Sequence, residues 1–249
     1  MQPNVTEKQL KELYNAVFED EADFCDRFFN RFYHPLNVYC KTEEGKLCSA
    51  LHVIDVTLKD EKRFYRAGYI FAAATYPEYR GKGYMGELIK DAIEGAKNKG
   101  TDMLFLIVAE EGLKQYYKKF GFVSVSDEEE TELSASNGEV ESISPEIVAE
   151  LLNNEKGVSI YRTKDHIKDL LYVYGARAYR NQKGMCIAYK AGNIAVVPKY
   201  VGDISVCSEV CTTLKAEKVL ATKTAGTMVL PISENAQIKG CFKLNFILN

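Results

Sequence analysis

Apolar and polar positions along the chain change period several times, and each change marks an element. From Thr6 to Phe18 the apolar residues Leu10, Leu13, Tyr14, Val17 and Phe18 fall at helical spacing, with Thr6 placed as an N-cap. Glu21 to Tyr33 repeats that spacing through Phe24, Phe28, Phe29 and Phe32, and His34-Pro35 ends it. The period then shifts towards two. Asn37 to Cys40, Leu47 to Leu58 and Arg63 to Thr75 read as successive strands, joined by turns at Glu43-Glu44-Gly45-Lys46 and Lys59-Asp60-Glu61-Lys62. Short turns make neighbouring strands antiparallel.

A helix follows from Tyr84 to Lys99, with Leu88, Ile89, Ala92, Ile93 and Ala96 as its buried stripe and Gly100 as its stop. Asp102 to Ala109 is an unbroken apolar run, the mark of a strand covered on both faces. Leu113 to Phe120 predicts a short helix and Phe122 to Val125 a further strand. The stretch Ser124 to Ser144 is polar and carries Asp127-Glu128-Glu129-Glu130. We place a domain boundary there, between residues 1–135 and 144–249, with Thr131 to Ser134 as a final strand of the first domain. The acidic run reads first as a solvated face and second as a lure for a cationic partner.

The rest is again mixed. Pro145 to Leu152 and Lys164 to Tyr179 predict helices, and Gly184 to Tyr200 a hairpin turning at Lys190-Ala191-Gly192-Asn193. Ser205 to Thr222 reads as mainly helical, with strands at Met228 to Leu230 and Gly240 to Leu248. The fold class is therefore mixed α/β: a largely antiparallel twisted sheet flanked by helices, plus a second, smaller α/β domain.

Bulk properties narrow the function. At 249 residues the chain can bury a large core, and a net charge of −3 argues against a nucleic-acid binder. The polar start lacks the plan of a signal peptide, and no apolar run reaches membrane-spanning length. Seven cysteines, an odd number with no C-x-x-C pair, read as free thiols, so the cytoplasm is the expected location. His52 lies inside a strand with no nearby partner for a triad, which favours a structural role.

The chemistry concentrates at Tyr76 to Met85. A strand that feeds a glycine-containing turn at a helix start presents unpaired N–H groups and the positive end of the helix dipole to an anion. Arg80 and Lys82 add charge there, and Gly81 and Gly83 allow close backbone approach. Three phosphate-binding patterns compete. A P-loop fails, because no Ser or Thr follows Gly83. A dinucleotide fingerprint is present as Gly81, Gly83 and Gly86, with Glu110 at a plausible distance for a ribose. However, Tyr76 to Arg80 separates the strand from the first glycine, and the preceding strands are antiparallel.

The third pattern is carried by Pro77-Glu78-Tyr79-Arg80-Gly81-Lys82-Gly83-Tyr84-Met85 and by Tyr116-Tyr117-Lys118-Lys119-Phe120-Gly121-Phe122. Together these resemble the pyrophosphate loop and the second signature of the GNAT (GCN5-related) N-acetyltransferases, with one helix and one strand between them. Met85 replaces the usual last small residue, and Glu110 stands where family members often carry Asn. The resemblance implies an acetyl-CoA-dependent N-acetyltransferase acting on a small-molecule amine or a peptide or protein amine. Arg80, Gly81, Lys82, Gly83, Tyr84 and Met85 would hold the pyrophosphate, and Ala73, Ala74 and Thr75 the pantetheine. Tyr117 would protonate the departing thiolate.

The general base is left open between Glu110, a water chain and the C-terminal carboxylate of Asn249, the last by similarity to acetyltransferases of the enhanced-intracellular-survival type. The second half is expected to be a degenerate acetyltransferase-like copy without its own cofactor, or else an acceptor-binding domain. A silent acyl-CoA-binding module and, less favoured, a nicotinamide oxidoreductase are the alternative functions.

Overall fold

The computed structural model describes residues 5–20, 23–108, 110–234, 236 and 241–245. Helix α1 (Glu7–Val17) starts at a capping box: Thr6 Oγ1 accepts from the Gln9 N–H at 3.3 Å, and Gln9 Oε1 accepts from the Thr6 N–H. Helix α2 (Phe24–Phe32) adds Phe24, Phe28 and Phe29 to the Leu10, Leu13 and Tyr14 stripe of α1, and both stripes are buried. The strands β1 (Val38–Glu43), β2 (Lys46–Lys59) and β3 (Phe64–Thr75) form an antiparallel meander. In β2 every residue from Leu47 to Ile54 is buried, because helices cover both faces of the sheet.

Helix α3 (Tyr84–Asn98) buries Leu88, Ile89, Ala92 and Ala96 against that sheet, while Ile93 is half-buried. Gly95 lets Tyr39 lie against this helix, for a Cβ there would overlap the tyrosine oxygen. After Gly100, at φ +63°, β4 (Met103–Ile107) returns parallel to β3. Helix α4 (Glu111–Lys118) and β5 (Val123–Ser126) follow.

The remaining elements are β6 (Glu129–Ser134), β7 (Glu141–Ser142), α5 (Pro145–Asn153), β8 (Val158–Ile160), α6 (Lys164–Tyr174) and β9 (Arg177–Arg180). They continue as β10 (Gly184–Ala191), β11 (Ile194–Gly202), α7 (Ser205–Leu214), β12 (Lys218–Thr224), β13 (Thr227–Pro231) and β14 (Phe242–Lys243). Two helices stop short of their sequence-based ends. Gly175 takes the left-handed conformation at φ +62° and closes α6, which frees residues 177–180 to form β9. Lys215 does the same for α7 at φ +53°, and the chain turns into β12. Of the strand read over Gly240 to Leu248, the described part is β14.

Two sheets result. The larger runs β14-β8-β2-β3-β4-β13-β5, with β1 also paired to β2, and the smaller runs β6-β12-β11-β10-β9-β7. Each half of the chain supplies two helices, three antiparallel strands, a helix and a parallel strand, in that order, with β8 set between the first two helices of the second half. The halves then exchange strands. β6 leaves the first half to pair with β12, which corrects the placement of Thr131 to Ser134 in the first sheet. β13 returns from the second half and lies between β4 and β5.

A buried polar cluster lies within the second half of the chain. Lys199 Nζ sits 2.8 Å from Glu155 Oε2 and donates to Asn245 Oδ1, while Arg162 Nη2 donates to the Asn245 carbonyl. No helix among the described residues is long and apolar enough to cross a membrane.

Candidate active site

The site begins where two parallel strands part. β3 and β4 pair from Ala67–Met103 to Tyr69–Phe105, after which β3 runs on to Thr75 and β4 to Ile107. A bulge in β3 makes the opening. Its register against β2 shifts between the Ala50–Ala74 and His52–Phe71 pairs, and Ala72 sits at φ +50°. A left-handed alanine is strained by about 1–2 kcal/mol, and such strain tends to mark working parts of a fold. β4 cannot follow the bend, since its other edge is held by β13 along Met103–Ile107.

The resulting cleft encloses about 280 Å³. Ala72 and Ala73 form one wall and Leu106 to Val108 the other, with Tyr117 of α4 and Tyr14 of α1 also lining it. Ala74, by contrast, is buried, and its carbonyl accepts from Ser49 Oγ at 3.0 Å. Thr75 Oγ1 lies 2.8 Å from the same Ser49 hydroxyl, and its carbonyl accepts from Arg80 Nε at 3.2 Å. Of the three residues assigned to the pantetheine, Ala73 alone lines the cleft, and Thr75 ties the strand end to the loop beyond.

That loop turns through Pro77–Tyr79, then Gly81 at φ +78° and Gly83 at φ +86°, with Gly83 as the N-cap of α3. Those angles demand glycine. A Cβ at either position would meet nothing within 4 Å, so the space in front of the helix start is open. No side chain caps α3, which leaves its first N–H groups available to an anion. Arg80 is exposed, whereas Lys82 Nζ is engaged with Glu43 Oε2 at 2.8 Å and lies over the Tyr79 and Tyr84 rings. Tyr84 and Met85 open the helix and are half-buried.

Tyr117 stands on α4 with its ring edge-on to Tyr116 and Phe122, and only 8% of it is exposed. Burial, and then the neighbouring Tyr116, pushes its hydroxyl up to about 12, so it holds its proton at neutral pH. Glu110 precedes α4 and is exposed, outside the cleft lining. Asn249 lies outside the described residues. His52 is buried edge-on to Phe28 and Phe29, and burial lowers it to about 4. None of the seven cysteines lines the cleft, and all are free thiols. Among the described residues no group of His, Cys, Asp and Glu could hold a metal ion.

One lining residue escaped the sequence reading. Asp20, just past α1, borders the cleft and accepts a hydrogen bond from the Tyr14 hydroxyl. Burial of Tyr14, together with Asp20, raises that hydroxyl far above its ordinary value. Only the return of the chain beside Tyr14 distinguishes Asp20 from an ordinary polar helix end.

An antiparallel meander, a glycine turn at a helix start and a parallel pair that opens around a bulge define an acyltransferase fold of the GNAT type. Residues 4–125 match the family model described as acetyltransferase (GNAT) domain, and this part of the chain belongs to that family. The protein is thus an acyltransferase.

Solved structures share the fold across nearly the whole chain. A GCN5-related N-acetyltransferase from Anabaena variabilis aligns with a TM-score of 0.69 at 14% identity, covering 93% of this chain and 72% of its own. One from Kribbella flavida gives 0.67 at 17% identity, covering 94% and 72%. Eis1 from Mycobacterium abscessus gives 0.63 at 11% identity, covering 93% and 73%. No curated protein matches the chain.

Proposed function

We propose that the protein is an acetyl-CoA-dependent N-acetyltransferase that moves an acetyl group directly to a primary amine. The observation that carries this reading is a bulged strand end that lines a cleft with Tyr117 across it and leads, a few residues on, into the open glycine turn at the start of α3. The residues present fit the cosubstrate. The uncapped N–H groups of α3 and the exposed Arg80 suit a pyrophosphate, and the small Ala72 and Ala73 leave room for a narrow arm.

Bound there, acetyl-CoA supplies the acetyl group as a thioester. The chain's own residues position it, exclude water with apolar walls, and hold a proton at Tyr117 Oη. As the amine nitrogen bonds the acetyl carbon and the carbon–sulfur bond breaks, Tyr117 gives its proton to the sulfur. The amine's proton leaves to water, from which Tyr117 is reprotonated. With no cysteine in the cleft lining, transfer is direct. The seven free thiols also support a reducing compartment, the cytoplasm.

The second half we assign no cofactor of its own. At the start of α7, Asp203 Oδ1 accepts from the Ser205 N–H at 2.8 Å, so a carboxylate occupies the place an anion would need. Between β11 and β12, Asn245 Nδ2 bridges the carbonyls of Pro198 and Lys223 at 3.1 and 3.4 Å. The test is CoA thiol release from acetyl-CoA with a panel of primary amines. Amine-dependent release supports the transferase. If acetyl-CoA binds and no amine of any class releases thiol, the chain is a silent acyl-CoA-binding module instead.

A further inference from the structure

Besides its strand walls, the cleft is bounded by α1 and the residues just after it. Tyr14, Phe18 and Asp20 line it together with Phe71, Leu113 and Tyr117. The rings form a wall: Tyr14 lies 4.8 Å from Phe18 and 6.2 Å from Phe71 between centroids. Asp20 is the one charged side chain among the described lining residues. It is exposed, so its carboxylate meets solvent at the mouth, and the Tyr14 hydroxyl donates to one of its oxygens. A carboxylate offers about four acceptor sites, so that bond orients Asp20 without exhausting it.

We infer that Asp20 captures the ammonium of the acceptor at the cleft mouth, where the ammonium gives a proton to water before the neutral amine attacks, and that the acceptor is a small free monoamine carried on an aryl or alkyl stem. This rests on the N-acetyltransferase reading above. One oriented carboxylate, the one charge among the described lining residues, matches one positive charge. Each further charge of a polyamine would enter apolar surroundings without a partner, which is costly. The ring wall suits a flat or aliphatic stem, and the faces of Phe18 and Tyr14 also favour a nearby cation. Size points the same way. A cavity of about 280 Å³ falls just under the about 300–1,000 Å³ of ordinary ligand pockets, and it must also take the thioester end of acetyl-CoA. A short stem fits that space.

The experiment is calorimetry on the full chain, first with acetyl-CoA and then, with the protein saturated by CoA, with three probes: phenethylamine, its neutral analogue 2-phenylethanol, and spermidine. The expected result is that phenethylamine binds at least tenfold more tightly than either other probe. Asp20→Asn keeps the shape and an acceptor for Tyr14, and should bring phenethylamine and 2-phenylethanol to within about twofold while acetyl-CoA affinity holds. In turnover, the same variant should raise KM for phenethylamine at least tenfold with KM for acetyl-CoA unchanged, a split that general destabilisation does not give. Equal binding of the two phenyl probes by the parent protein, a preference that survives in the variant, or tighter binding of spermidine overturns the inference. Faster acetylation of a lysine-containing peptide than of phenethylamine also overturns it. Absence of acetyl-CoA binding in the first titration instead removes the transferase reading on which it rests, so the two failures are told apart.

Discussion

Tyr117 keeps its proton because little water reaches it, and this sets two expectations. Replacing it with Phe removes one hydroxyl from a packed ring, so the fold and acetyl-CoA affinity should persist. Loss of a positioned proton donor lowers kcat by about 10²–10⁴; a fall of less than threefold in steady-state turnover contradicts the assigned role. Since burial pushes this hydroxyl up to about 12, it contributes no loss of activity between pH 7 and 10.

His52 makes a stability statement. Its folded value, about 4, lies below its ordinary 6.5, so between these the unfolded chain takes up a proton that the folded chain refuses. Its contribution is therefore intact above pH 6.5 and is lost as pH falls towards 4. At about 1.4 kcal/mol per pH unit the upper bound is about 3.5 kcal/mol. Urea midpoints at pH 7.5 and 4.5 should drop further for the parent than for His52→Phe, and equal drops contradict this. At this scale the sequence marked Tyr117 through its spacing from Gly121 and Phe122. It could not mark Asp20, whose partner Tyr14 is brought to it by the packing of α1.

The element that decides whether the first sheet is complete is β13. It pairs with β4 on one side and β5 on the other, yet it comes from Thr227–Pro231. The first half also shares its apolar core with the second, as where Phe24 meets Tyr174 edge-on at 5.9 Å. A fragment ending at residue 135 therefore exposes the β4 edge and the aromatic face of α2. It should give no cooperative melt by circular dichroism, and a sharp two-state transition would contradict the exchange of strands.

Elements themselves were largely legible from local signals. The Thr6 cap, the meander and the stop of α3 at Gly100 follow from period and turn residues. The strand exchange was not legible, because β6 and β13 carry ordinary strand patterns and nothing local specifies which sheet they join. The overrun of α6 past Gly175 shows the opposite case, in which the signal was present and outweighed by an apolar period continuing through Tyr179.

On the scale of the whole molecule, the two halves share an order of elements and differ where each parallel pair ends. The first ends its parallel pair in an open cleft before an uncapped helix; the second closes the corresponding places with Asp203 and Asn245. The proposed function then predicts one acetyl-CoA per chain. The sequence held one half of this asymmetry in the glycine loop; in the other, Asp203 meets the N–H of Ser205 only two residues on, whereas Asn245 reaches backbone at Pro198 and Lys223, a meeting that no local pattern specifies.

The most direct measurement is calorimetry of acetyl-CoA and NAD binding to the full chain, with Gly83→Ala and Gly83→Glu alongside. Both variants strain a backbone at φ +86°, but only the second sets a carboxylate in the open space before α3. The account predicts one acetyl-CoA per chain, weakened by Ala, abolished by Glu, and no NAD binding. Binding of NAD without acetyl-CoA, or acetyl-CoA binding untouched by Gly83→Glu, contradicts it.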